Sequence, residues 1–156
     1  MKNKKLLLFT IIAISALLVL SGCSNAGISL ELSPNPINFS ENDTEKTLEL
    51  TVTTEGIGNI SLTNMIVEII DEDGETIPVG EKELDINSPV IGGISETVSY
   101  TLDLRSVFDP AEYDGYNSDT AFSEFYNGYL EGKTHKLRLT VTGSNNTSLT
   151  AQINYN

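Results

Sequence analysis

The chain has no tryptophan, one cysteine and one histidine, and its nine lysines and arginines stand against 22 aspartates and glutamates. Each scarcity removes a class of function. One cysteine cannot close an internal disulfide, and one histidine without a second imidazole or thiol builds neither a local zinc motif nor a Cys–His pair. The shortage of positive charge excludes the basic footprint that nucleic acid demands, and broad adhesion to anionic headgroups as well. No Gly-x-Ser-x-Gly elbow, P-loop or Gly-x-Gly-x-x-Gly fingerprint occurs. Among 22 carboxylates, any pair chosen as a glycosidase couple is uninformative. The expectation is a protein without catalytic activity.

What is present begins with an address. Met1-Lys2-Asn3-Lys4-Lys5 is a short basic head, and Leu6 to Leu20 is an apolar run of 15 residues interrupted only by Thr10 and Ser15. Leu20-Ser21-Gly22-Cys23 follows. A positive head before an apolar run is the layout of a secretory signal, and this run is shorter than the roughly 20 residues a spanning helix needs. The segment resembles the lipobox of prokaryotic lipoproteins, Leu-(Ala/Ser)-(Gly/Ala)-Cys, with Leu20, Ser21 and Gly22 as the cleavage motif. The resemblance implies cleavage before Cys23 and acylation of its thiol by a fatty diacylglyceryl group, palmitate being of that class. One acyl chain anchors marginally and two or more anchor stably, at about 0.8 kcal/mol per buried methylene. The expected home is the extracytoplasmic face of a cell membrane or outer membrane, with Cys23 holding the chain to it.

Removing 22 residues from 156 leaves 134, carrying six basic against 22 acidic side chains, a formal charge of −16. That size suits one domain with a real core. The expected organisation is a signal peptide over 1–22, a short tether over 23–27 and a single domain over 28–156. Such a tether reaches on the order of 15–18 Å, so the domain is expected close to its membrane.

Beyond Gly27 the dominant pattern is alternation, the mark of half-buried strands. Ile28, Leu30 and Leu32 alternate with polar residues until Pro34 and Pro36 break the run, a kink suited to an edge strand changing sheets. Leu48, Leu50 and Val52 alternate, as do Val98, Tyr100, Leu102 and Leu104. Met65 to Ile70 is almost continuously apolar and predicts a central strand buried on both faces. Asp71-Glu72-Asp73-Gly74-Glu75 predicts a tight turn before a short strand over 76–79. Leu137, Leu139 and Val141 predict a closing hairpin with Leu149, Ala151, Ile153 and Tyr155 across Gly143-Ser144-Asn145-Asn146. About seven strands in such a length fit an all-β, two-layer antiparallel sandwich. The flow is similar to immunoglobulin-like domains of prokaryotic surface proteins, although it lacks the tryptophan and cysteine pair of antibody domains.

Residues 106–132 break the pattern. They hold Phe108, Tyr113, Tyr116, Phe122, Phe125, Tyr126 and Tyr129, with six carboxylates and no lysine or arginine. The spacing of Phe122, Phe125, Tyr126 and Tyr129 predicts a short helix with one aromatic face, started by Ser118 or Asp119 and ended by Gly128 or Gly132. Two readings follow. The stripe plugs an open end of the sandwich, with one tyrosine tying the crossover to backbone, or the segment is a contact surface. For contact, Tyr113 and Tyr116 offer flat faces beside Asp109, Asp114 and Asp119, a combination suited to an envelope protein or polysaccharide. Asp109, Glu112, Asp114 and Asp119 also form a loose oxygen set for calcium, the one cofactor worth testing. His135 shares parity with the inward residues of its strand and is expected to be structural. The expected function is a lipid-anchored immunoglobulin-like interaction module of the envelope. The alternatives are a purely structural accessory lipoprotein and a calcium-dependent carbohydrate-binding module.

Overall fold

The computed structural model describes residues 27–91 and 93–156; the signal segment, Cys23 and most of the tether lie outside the described residues. Among the described residues, eight strands form two facing sheets. They are β1 (Gly27–Ser33), β2 (Ile37–Phe39), β3 (Glu45–Glu55), β4 (Ile57–Ile70), β5 (Thr76–Ile91), β6 (Ile94–Asp103), β7 (Thr134–Gly143) and β8 (Thr147–Tyr155). One sheet runs β1-β3-β6 and the other β2-β8-β7-β4-β5. Every pairing is antiparallel except β2 with β8, which is parallel.

The alternation read from the sequence becomes the core. Leu48, Leu50, Val52 and Thr54 of β3 point inward, while Thr47, Glu49, Thr51 and Thr53 face outward. They meet Met65, Val67 and Ile69 of β4, Leu137, Leu139 and Val141 of β7, and Ile153 and Tyr155 of β8. Pro34 and Pro36 stand between β1 and β2, and on either side of them the chain belongs to different sheets, as the kink predicted. This split first strand and the two layers are the architecture of an immunoglobulin-like sandwich.

Three expectations need correction. The strand beginning at Thr76 does not stop at Val79; it continues to Ile91 as the edge of the larger sheet. Gly80, Lys82, Pro78 and Pro89 weaken its apolar signal, and an edge strand has only one neighbour to satisfy. The residues Met65 to Ile70 are not buried on both faces, since Ile66, Glu68 and Ile70 lie half-buried on the outer side. There Glu68 accepts from Arg138 at 2.8 Å. The eighth strand, β2, is only three residues long, too short for its buried–exposed–buried alternation to stand out, and it pairs in parallel with β8.

The registers fix two ends. Gly27 pairs with Glu55 and Thr54 with Ile94, so the start of β1 lies beside the β3–β4 and β5–β6 connections. Ser33 pairs with Glu49, Glu45 with Asp103, Ile70 with Thr76 and Thr134 with Asn154. The Asp71–Glu75 turn and the β6–β7 crossover therefore share the far end. β1 begins at one end and the irregular segment caps the other.

Candidate functional site

The crossover is built from four short pieces. Asp103 Oδ1 accepts from the Arg105 amide at 2.9 Å and starts the single turn α1 (Leu104–Val107). Asp109 Oδ1 accepts from the Ala111 amide at 3.0 Å and starts a 3₁₀ turn over Pro110–Glu112. The helix α2 (Phe122–Phe125) continues into a π-helical turn, Tyr126–Leu130. Neither Ser118 nor Asp119 caps it: the N-cap is Ala121, with no side-chain hydrogen bond. Asn117 instead closes its own loop, accepting at Oδ1 from the Asp119 amide at 2.9 Å while its amide donates to Thr120 Oγ1 at 3.1 Å. Gly132, at φ +76, follows the helical end as predicted.

Aromatic packing holds these pieces together. Phe108, Phe125, Tyr126 and Leu130 are essentially inaccessible. Phe125 is the hub, with ring centres of Tyr113, Tyr116 and Tyr129 each 5.2 Å away and Phe122 at 5.7 Å. Tyr113 lies 4.3 Å from Tyr129. The Tyr126 hydroxyl donates to the Asn156 carbonyl at 3.3 Å, tying the crossover to the backbone after β8. Beneath it His135, only 2% exposed, sits 3.1 Å from the Tyr155 hydroxyl through Nδ1. Burial pushes the His135 pKa down, against the pull of Asp71 and Glu72 upward; Lys133 adds to the lowering.

Tyr113 and Tyr116 are consequently half-buried members of the plug and not free platforms. Burial, and then the neighbouring Tyr129, Glu112 and Asp71, push the Tyr113 hydroxyl up to about 12. Asp109, Glu112, Asp114 and Asp119 are exposed around this cluster. Among the described residues, no three or more His, Cys, Asp or Glu side chains are grouped so as to hold a metal ion. Asp109 and Glu112, with Arg105, Pro110, Thr120 and Phe122, border a surface cavity of about 500 Å³. Arg105 lies over the Phe122 ring at 5.5 Å.

Sequence reasoning did not join the Asp71–Glu75 turn to this site. Asp71, Asp73 and Glu75 lie close enough to Tyr129 to raise its pKa beyond the effect of burial, and Glu72 Oε1 accepts from the Thr134 amide at 3.1 Å. Lys133 stands 3.8 Å from the centre of the Tyr129 ring. The turn and the crossover together carry ten carboxylates. Only the strand register could have revealed that they share an end.

No protein-family model matches the chain, and no curated protein matches it. Among solved structures, it is similar to the CARDB domain of a Pyrococcus furiosus protein in complex with di-metal ions, at 13% identity and a TM-score of 0.44, over 83% of this chain and 93% of that one. A β-glucosidase from Listeria innocua in complex with glucose matches at 13% identity and a TM-score of 0.47, over 85% of this chain and 17% of the glucosidase. The periplasmic chaperone SfaE matches at 9% identity and a TM-score of 0.41, over 81% of this chain and 57% of that one. By its own strand order and register, the chain is an immunoglobulin-like β-sandwich module. No helix among the described residues is long and apolar enough to cross a membrane.

Proposed function

We propose that this protein is a lipid-anchored, non-enzymatic interaction module on the extracytoplasmic face of a cell membrane or outer membrane. Residues 1–22 direct export and are removed, and acylated Cys23 holds the domain to the bilayer. The module presents its far end to a partner. The observation that carries this reading is the opposition of ends: the strand that leads back to Cys23 starts at one, and the acidic, aromatic-cored cap occupies the other. A tether of three residues between Cys23 and Gly27 leaves the cap as the part that projects outward.

The contact surface is the ring of exposed carboxylates at Asp109, Glu112, Asp114 and Asp119 with the Asp71–Glu75 turn, and Tyr113 and Tyr116 act from beneath by keeping it rigid. A basic patch on an envelope protein is the matching chemistry, because opposite charge steers encounter and rejects acidic partners. A purified domain with Asp109, Asp114 and Asp119 all changed to Asn should lose the proteins that the wild type retains from envelope extract. Raising salt should have the same effect on the wild type. Retention unchanged by the substitutions would overturn the cap as contact surface and favour the purely structural alternative.

A further inference from the structure

We infer that the tether end of the sandwich rests on the bilayer itself, with Ile94 seated at the boundary of headgroups and acyl chains, so that the domain stands end-on. The inference rests on the proposed anchor at Cys23. Among the described residues Ile94 is the one large hydrophobic side chain that is exposed, at 39%. It opens β6 opposite Thr54, while Gly27, the first residue of β1, pairs with Glu55. The exposed isoleucine and the exit of the chain toward Cys23 therefore occupy one end.

That end differs in composition from the cap. It is made by the β3–β4 connection at Glu55-Gly56-Ile57, by the end of β5 and by Gly93-Ile94 at the start of β6. The backbone ladder sets Ile57 opposite Ile91 and Gly58 opposite Val90, so the ends of β4 and β5 reach the same tip. Its carboxylates are Glu55 and Glu96, against ten in the turn and crossover at the far end. The β7–β8 turn does not reach the tip, since Gly143 pairs with Leu62, five residues along β4 from Ile57.

The occupant follows from the chain outside the described residues. Gly27 opens β1 at this end, and only four positions separate it from Cys23, a reach of about 15 Å. An acylated Cys23 thus holds the tip against lipid at high effective concentration, and a contact too weak to bind a free protein forms once it is intramolecular. A second copy docked tip to tip is disfavoured by the like charge of two strongly acidic bodies.

The lack of tryptophan gives a clean probe. The chain from Cys23 to Asn156 is coupled through the Cys23 thiol to a maleimide phospholipid in neutral phosphatidylcholine vesicles containing brominated acyl chains. With Ile94→Trp, the emission should be blue-shifted and quenched several-fold more strongly than with Asp73→Trp at the far end. Gly27→Trp, at a position with no neighbouring atom within 4 Å, gives a second reporter of the same tip should the first variant fold poorly. Uncoupled protein should show no quenching at any of these positions. Equal quenching at the two ends, absence of quenching at the tip, or quenching without coupling would each overturn the inference. Because the coupling is imposed chemically, these outcomes are independent of natural acylation, which fails separately if the native protein carries no acyl group.

Discussion

At the scale of single residues, the parity of a side chain in its strand was readable and its partner was not. His135 shares the inward parity of Leu137, Leu139 and Val141, and it is buried as expected; that its ring meets Tyr155 depends on the pairing of β7 with β8. The buried ring favours the neutral form, so the folded pKa lies below the ordinary 6.5. The unfolded chain then takes up the proton first. Stability is therefore unaffected by this group above about pH 6.5 and falls as the pH drops from there toward the folded pKa, by up to ~1.4 kcal/mol per pH unit. Urea unfolding between pH 7.5 and 5.5 should show this slope, and His135→Gln should flatten it. A second residue tests close packing. A Cβ at Gly143 would overlap the Ser61 carbonyl and approach Leu62 Cα to 2.8 Å. Backbone on that side cannot swing away as a side chain can, and Gly143→Ala should cost about 1–3 kcal/mol by the same urea measurement.

At the scale of elements, the strongest alternations became strands with their inward faces correct, and the weakest went unread. The Asp71–Glu75 turn was legible because Asp-Gly supplies a positive φ, found at Gly74 as +87. The continuation of β5 was not, since Lys82 sits at an inward-leaning position and reaches over to the Ser99 carbonyl rather than reading as apolar. The aromatic spacing in 122–129 identified a helical face, but the change from α to π geometry after Phe125 carries no signature in composition. The same spacing left open whether Tyr113 and Tyr116 pack or project; they pack, because Phe125 gathers them. Truncating that hub tests the crossover as core. Phe125→Ala should destabilise the domain by about 3–5 kcal/mol, the usual cost of a buried phenylalanine. In Asp114→Ala, by contrast, thermal unfolding should stay close to wild type, as an exposed loop carboxylate predicts.

At the scale of the whole molecule, charge and topology are arranged together. A long acidic connection with no lysine or arginine was evident from sequence, and the expected address at the other extreme of the chain lies outside the described residues. That β1 begins at the end opposite this connection was not legible, because it needs the register of β1 on β3 and of β4 on β5. A body carrying 22 acidic and six basic residues beyond residue 22 repels its own copies and stays soluble. With the proposed anchor at Cys23, its most acidic end would face away from an anionic surface. The proposed contact surface and the proposed resting tip both presuppose an acyl group on the sulfur of Cys23. The most direct measurement is the intact mass of the protein extracted from the membranes of its native host. The predicted species begins at Cys23 and carries at least a diacylglyceryl group. A chain still beginning at Met1, or one cut elsewhere and free of fatty acid, would contradict it.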